Sequence, residues 1–155
     1  MKQGAATRST WKRAHPMPER QAQLTFLGQY SAEEAERIRL GLVPAQMEDK
    51  WFIFLEAAQL YLHRSWSGFC MFRVRLEPAG EGVRVAEAWV NRDPEQYSGT
   101  DDVYDVVLLA YLIDRLLLGR QPPFPFPEGL QPEAESLFRH HMVGWARAND
   151  EDPGP

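Results

Sequence analysis

The chain has 155 residues, 44% of them hydrophobic and 12% aromatic, with a formal net charge of −5. That length supports one domain with a real core, burying roughly 68–70% of the surface the unfolded chain exposes, and leaves too little apolar material for two. The acidic balance argues against binding a phosphate backbone as the main task, and the single cysteine, Cys70, excludes an intramolecular disulfide and fits a reducing compartment.

Residues 1–21 carry Lys2, Arg8, Lys12, Arg13 and Arg20 against one acid, Glu19. His15-Pro16-Met17-Pro18 breaks any helix there, because proline lacks the amide donor and disfavours helix just before it. The expectation is a basic flexible arm, with a strap that folds onto the acidic body or touches a polyanion as the sharper alternative. No apolar core of signal-peptide length follows the basic start, and the longest apolar run, Val106 to Ile113, falls short of the ~20 residues of a membrane span. The location expected is therefore cytoplasmic.

Ser31 and Glu34 form a capping box that opens a short helix, Arg37 and Arg39 suit its last turn, and Gly41 stops it. Four strands follow: Trp51 to Glu56, Leu60 to Trp66, Phe69 to Glu77 and Val83 to Asn91. The connections are short, with Ala57-Ala58-Gln59 and Pro78 to Gly82 as turns, which implies an antiparallel meander. Alternation sends Trp51, Ile53, Leu55, Leu60, Leu62, Cys70, Phe72, Val74, Val83 and Val85 to one face, a conventional core. The other face takes Phe52, Phe54, Tyr61, His63, Ser65, Phe69, Met71, Arg73 and Arg75, a mixture suited to a partly covered groove.

Thr100, Asp101 and Asp102 cap a long helix, Asp102 to Leu118, terminated by Gly119. Its apolar stripe is wide enough to be covered on more than one side. Gln121 to Pro127 (QPPFPFP) must run extended, Pro132 opens a last helix, and residues 149–155 form an acidic, disordered tail. The fold expected for residues 22–148 is α+β: a four-stranded antiparallel meander sheet packed against a long helix, with shorter N- and C-terminal helices.

No complete catalytic, metal or phosphate-binding signature is present. Ser65 lacks the strand-to-helix elbow of a hydrolase nucleophile, Cys70 reads as buried and inert, and adjacent His140 and His141 point about 100° apart on a helix. Asp93, Asp101, Asp102 and Asp105 are explained more simply as turn and capping residues than as metal ligands. The densest polar cluster is His63-Arg64-Ser65-Trp66, where a titrating imidazole, a fork-shaped cation and a stacking ring would suit an anionic ligand with a flat group. Alternation nevertheless sends His63 and Arg64 to opposite faces. The structural alternative makes His63 a satisfied strand residue, Arg64 a partner of Glu56, and Trp66 a core anchor.

The runs Met47 to Ile53 and Leu60 to Gly68, followed by Asn91 to Tyr97 (NRDPEQY), resemble a family of small uncharacterised bacterial proteins with an EDKWF…LYxHRSWxG…NRDPEQY pattern. The resemblance spans roughly residues 41–119 and directs attention to Lys50, His63, Arg64, Ser65, Trp66, Arg92 and Asp93. A looser similarity to ADP-ribose-processing proteins carries no residue assignment. Together with Arg73, these residues make the leading expectation a binding module for a small anionic or nucleotide-like ligand or a protein partner. The alternatives are a hydrolase or transferase on a nucleotide-like substrate, with His63 as acid/base and Arg73 holding negative charge, and an immunity- or antitoxin-like partner protein. No cofactor, nucleic acid or membrane is implied.

Overall fold

The computed structural model describes residues 5–11, 14–46, 49–122 and 125. The expected C-terminal helix, the acidic tail, and Lys2, Lys12, Arg13, His140 and His141 lie outside these residues.

The architecture is α+β, with a large antiparallel sheet and two α-helices among the described residues. The strands are β1 (Gln21–Leu24), β2 (Gln29–Tyr30), β3 (Trp51–Glu56), β4 (Gln59–Arg64), β5 (Cys70–Ala79) and β6 (Gly82–Asn91). The helices are α1 (Ala32–Leu40) and α2 (Asp102–Leu112). The strands from β3 to β6 form the expected meander, in the spatial order β1-β6-β5-β4-β3, and β2 also pairs with β6. Among the described residues the sheet therefore has six strands where four were expected. The two additions are short: Gln21 to Leu24 runs against Asn91 to Ala88, and Gln29-Tyr30 against Arg84-Val83. Gln and Ala alternate with little apolar content in β1, and the proline-rich sequence before it masks the period of two.

Bulges explain where simple alternation fails. Leu62 pairs with Phe72 but His63 pairs with Cys70, leaving Met71 as an extra residue on β5. Met71, expected on the second face, consequently turns into the main core, while Cys70 moves to the second face opposite His63. The main core lies between the sheet and the two helices, with Trp51, Ile53, Leu62, Phe72 and Val90 facing Leu108, Leu109 and Leu112 of α2.

The long helix expected over Asp102 to Leu118 is shorter. α2 runs for 11 residues and continues as a π-helical turn over Ile113–Leu117, closed by the Leu118 amide donating to the Ile113 carbonyl at 3.1 Å. The wider turn buries Arg115, Leu116, Leu117 and Leu118 in succession, which an α-helix with one exposed side would not do. α1 has its expected capping box, with the Glu34 amide donating to Ser31 Oγ and the Ser31 amide to Glu34 Oε1. Gly41 ends it at φ +68°, and a Cβ there would stand 2.3 Å from the Ile53 carbonyl oxygen. Only glycine fits.

Residues 5–11 lie across the second face of β3 and β4. The Trp11 ring stacks on Phe52, the Arg8 guanidinium sits over Phe54 and Tyr61, and the Ala6 amide donates to the Leu40 carbonyl. A second small core of Ala6, Phe52 and Phe54 results.

The β3–β4 turn is the least favourable piece of local sequence. Ala57 and Ala58 adopt φ of +51° and +65°, the type I′ geometry that Asn-Gly supplies at far lower strain. A left-handed alanine costs roughly 1 kcal/mol. Replacing the pair by Ala57→Asn with Ala58→Gly should therefore raise stability by about 1–2 kcal/mol. Urea unfolding checks this: the midpoint should rise at unchanged slope, and an unchanged or lower midpoint would contradict the strain argument.

Candidate functional site

The turn joining β4 to β5 sets the site. The Arg64 amide donates to the Phe69 carbonyl (2.9 Å), the Gly68 amide donates back to the Arg64 carbonyl (2.8 Å), and Gly68 has φ +78°. Ser65 clamps this turn to the start of β3. Its amide donates to the Lys50 carbonyl, its Oγ donates to the Asp49 carbonyl at 2.7 Å, and its own carbonyl accepts the Trp11 indole N–H at 2.9 Å. Ser65 is thus fully engaged in holding backbone together.

The cluster His63-Arg64-Ser65-Trp66 divides at this turn. His63 is 1% exposed on the second face, packed against Phe52 and Phe54, with its Nδ1 3.0 Å from the Gly68 carbonyl oxygen. Burial lowers its pKa from the usual histidine value, the bond to Gly68 opposes this, and the neighbouring Arg8 and His15 add to the lowering. Arg64 lies on the opposite face, its guanidinium 5.0 Å from the centroid of the Trp51 ring. Burial pushes the Arg64 pKa down to about 10, with Tyr97 opposing. The pairing of Arg64 with Glu56 is not found: Glu56 binds Arg8 at 2.6 Å, at the other end of the hairpin. Trp66, expected as a core anchor, is 56% exposed and carries the Lys50 ammonium 4.8 Å above its ring.

Arg64 and Trp66 face a cavity of about 640 Å³ between the β4–β5 turn and the chain leading into α2. Phe69, Met71, Tyr97 and Tyr104 give it aromatic and apolar walls, and Gln96, Asp101 and Asp105 add polar groups. The loop on its far side is built from NRDPEQY. Asn91 donates from Nδ2 to the Cys70 carbonyl and to Gln96 Oε1, and its Oδ1 accepts the Asp93 amide. Asp93 Oδ1 accepts the Glu95 amide, while the Asp93 carbonyl accepts the amides of Gln96 and Tyr97. Asp93 is therefore a turn residue here.

Arg92 secures the loop to α2. It donates to the Gly99 carbonyl at 3.0 Å and pairs with Asp102 at 2.5 Å and with buried Asp105 at 2.7 Å. Burial acts to lower the Arg92 pKa, but the hydrogen bonds to Asp102 and Asp105 outweigh it and the net shift is upward. The Tyr97 hydroxyl donates to Asp105 Oδ1 at 2.7 Å, and burial followed by that bond holds the phenol protonated far above the usual range. Asp101 caps α2 by accepting the Tyr104 amide, and the Tyr104 hydroxyl donates to the Pro125 carbonyl. Among the described residues, no group of three His, Cys, Asp or Glu side chains is placed to hold a metal ion.

The sequence-selected residues are thus dispersed. Arg64 and Trp66 line the cavity, with Lys50 stacked on Trp66; Arg92 supports the cavity's loop; Asp93 shapes that loop; His63 and Arg73 lie on the other face of the sheet. Arg73 there bridges Gln59 Oε1 (2.7 Å) and Gln21 Oε1 (3.2 Å) over the Trp89 ring. Phe69, Met71, Tyr97 and Tyr104 were not singled out as site residues. The two tyrosines flanking the α2 cap were the available signal, whereas Met71 depends on the bulge and has none. Comparison with protein-family models, with curated proteins and with solved structures finds no match to this chain.

The Ser65 clamp yields a direct test. Ser65→Ala strands the Asp49 carbonyl and should lower stability by about 1–2 kcal/mol. Denaturant titration would show the fall, and a variant as stable as the parent would remove Ser65 from its structural role.

Proposed function

We propose that this chain is a binding module for a small ligand that combines a flat ring with an anionic group. The ring stacks among Trp66, Phe69, Tyr97 and Tyr104, and the anion lies toward Arg64. The observation that carries this reading is the cavity itself. Its volume of about 640 Å³ falls within the roughly 300–1,000 Å³ of small-molecule sites, and its walls combine aromatic surface with a few polar groups, as such sites do. Aromatic faces accept any planar ring, and a guanidinium prefers carboxylate or phosphate.

The nucleotide-like class proposed from sequence is the natural first probe. The alternative of an enzyme using His63 as acid/base gains no support from the geometry, because that ring is buried on the face away from the cavity.

Trp66 offers a clean test, since a side chain 56% exposed can be truncated with little loss of stability. Thermal shift and calorimetry with AMP and ADP-ribose, and with ribose 5-phosphate as a ringless control, check the proposal. A ligand at a hundred times its Kd adds about 2.7 kcal/mol, a shift of several degrees for a domain of this size. Trp66→Ala should weaken binding about tenfold, the loss of one stacking contact, and His63→Ala should leave the affinity unchanged. Absence of any shift with the ring-bearing anions, or equal affinity in Trp66→Ala, would overturn the reading.

A further inference from the structure

The second face of the sheet holds a buried titratable group that the proposed binding site does not use. His63 is 1% exposed, and its Nε2 has no hydrogen-bond partner among the described residues. Nδ1 stands 3.0 Å from the Gly68 carbonyl oxygen, which requires the proton to sit on Nδ1 in the neutral ring. The Gly68 oxygen also accepts the His15 amide, at 2.8 Å. Phe52 and Phe54 enclose the rest of the ring, with centroids 5.8 and 5.7 Å away.

The cover over this ring is a packed segment that stands outside the sheet ladder. Residues 5–11 make no strand pairing with β3 or β4. Their polar ties to the body, among the described residues, are the Ala6 amide to the Leu40 carbonyl, the Trp11 indole to the Ser65 carbonyl, and the half-exposed Arg8–Glu56 pair. His15 adds its amide bond to Gly68 and a ring contact with Phe69.

We propose that His63 is a proton-operated latch for the N-terminal segment: when the imidazole is neutral, residues 5–11 lie closed across β3 and β4, and when it is protonated they lift away. Protonation would create an Nε2–H donor in an aromatic enclosure, together with a charge shielded from water. The charged and titratable groups around it give little relief. The N-terminal side contributes the cation Arg8 and the imidazole of His15, with Lys12 and Arg13 outside the described residues. Tyr61 comes from β4 and Cys70 from β5, and the one acid of the hairpin, Glu56, is engaged by Arg8. Burial pushes the Cys70 thiol up to about 12, so it supplies no thiolate. Hydrating Nε2 by lifting the segment breaks three or four polar ties, the Trp11–Phe52 stack and the contacts of Arg8 with Phe54 and Tyr61, whereas hydrating it from below would open the whole sheet. The segment is the part that yields.

The sign follows from linkage. The folded state lowers the His63 pKa, so the stabilisation from its neutral form is complete above the unfolded value of about 6.5 and is lost as pH falls below it. Closure therefore weakens on mild acidification, uncovering Phe52, Phe54 and Tyr61.

Nuclear magnetic resonance of the full chain between pH 7.5 and 5 tests the latch. The Ala6 amide and the Trp11 indole N–H should shift together with the His63 ring, with one midpoint below 6.5, while the Val74 and Val90 amides stay fixed. In His63→Gln, which cannot take up the proton, those two signals should hold their closed positions throughout. If that variant does not fold, indole exchange in the unmodified chain decides: corrected for its intrinsic pH dependence, Trp11 exchange should rise at least tenfold as His63 titrates. Signals of residues 5–11 that stay still while His63 titrates, or that follow His15 instead, would overturn the proposal, as would a pH response retained in His63→Gln.

Discussion

The structure depends on β3 being an edge strand buried on both faces. Trp51, Phe52, Ile53 and Phe54 are each at or below 1% exposure, although among the described residues the strand has a full neighbour, β4, on one side only. Alternation sends Trp51 and Ile53 toward the helices and Phe52 and Phe54 the opposite way. Two covers are therefore needed. The helical layer supplies one, and residues 5–11 supply the other, with Trp11 and Arg8 laid on the aromatic ladder. The Leu42–Ile53 bridge further blunts the open edge, which would otherwise invite pairing with another chain.

Both candidate functional features grow from this arrangement. The cavity opens where the β4–β5 turn leaves the sheet toward α2, and Ser65 holds that turn to the start of β3. On the other face the same hairpin places His63 beneath the N-terminal segment. Arg92, with Asp102, Asp105 and the Gly99 carbonyl, keeps the loop bearing Tyr97 at a defined distance from Trp66 and Phe69.

Local chemistry made much of this legible. The Ser31–Glu34 box, Gly41, the four strands of the meander and the Asp101 cap follow from residue type and spacing, and each is present. What the sequence hid was non-local. No local rule indicates that Met71 is the extra residue of a bulge, yet this exchanges the faces of Met71 and Cys70. The short strands β1 and β2 gain their order from pairing with β6 rather than from their own propensity. The π-helical turn after Leu112 reflects the demand to bury four successive side chains, Arg115 to Leu118. For the site, the motif containing Arg64 and Trp66 drew attention to the β4–β5 turn, and alternation along the strand already sent His63 and Arg64 to opposite faces, where the structure has them. Tyr97 and Tyr104 meet Trp66 only through the fold.

Native-state hydrogen exchange tests the central claim most directly. A strand sealed on both faces should carry some of the slowest-exchanging amides, despite its place at the edge. The Ile53 amide, bonded to the Leu42 carbonyl, and the other bonded amides of β3 should exchange at rates near those set by global unfolding. The amides of β1, at the opposite edge, should exchange far faster. Exchange in β3 as rapid as in β1 would show that the double cover does not hold this strand, and would contradict the account.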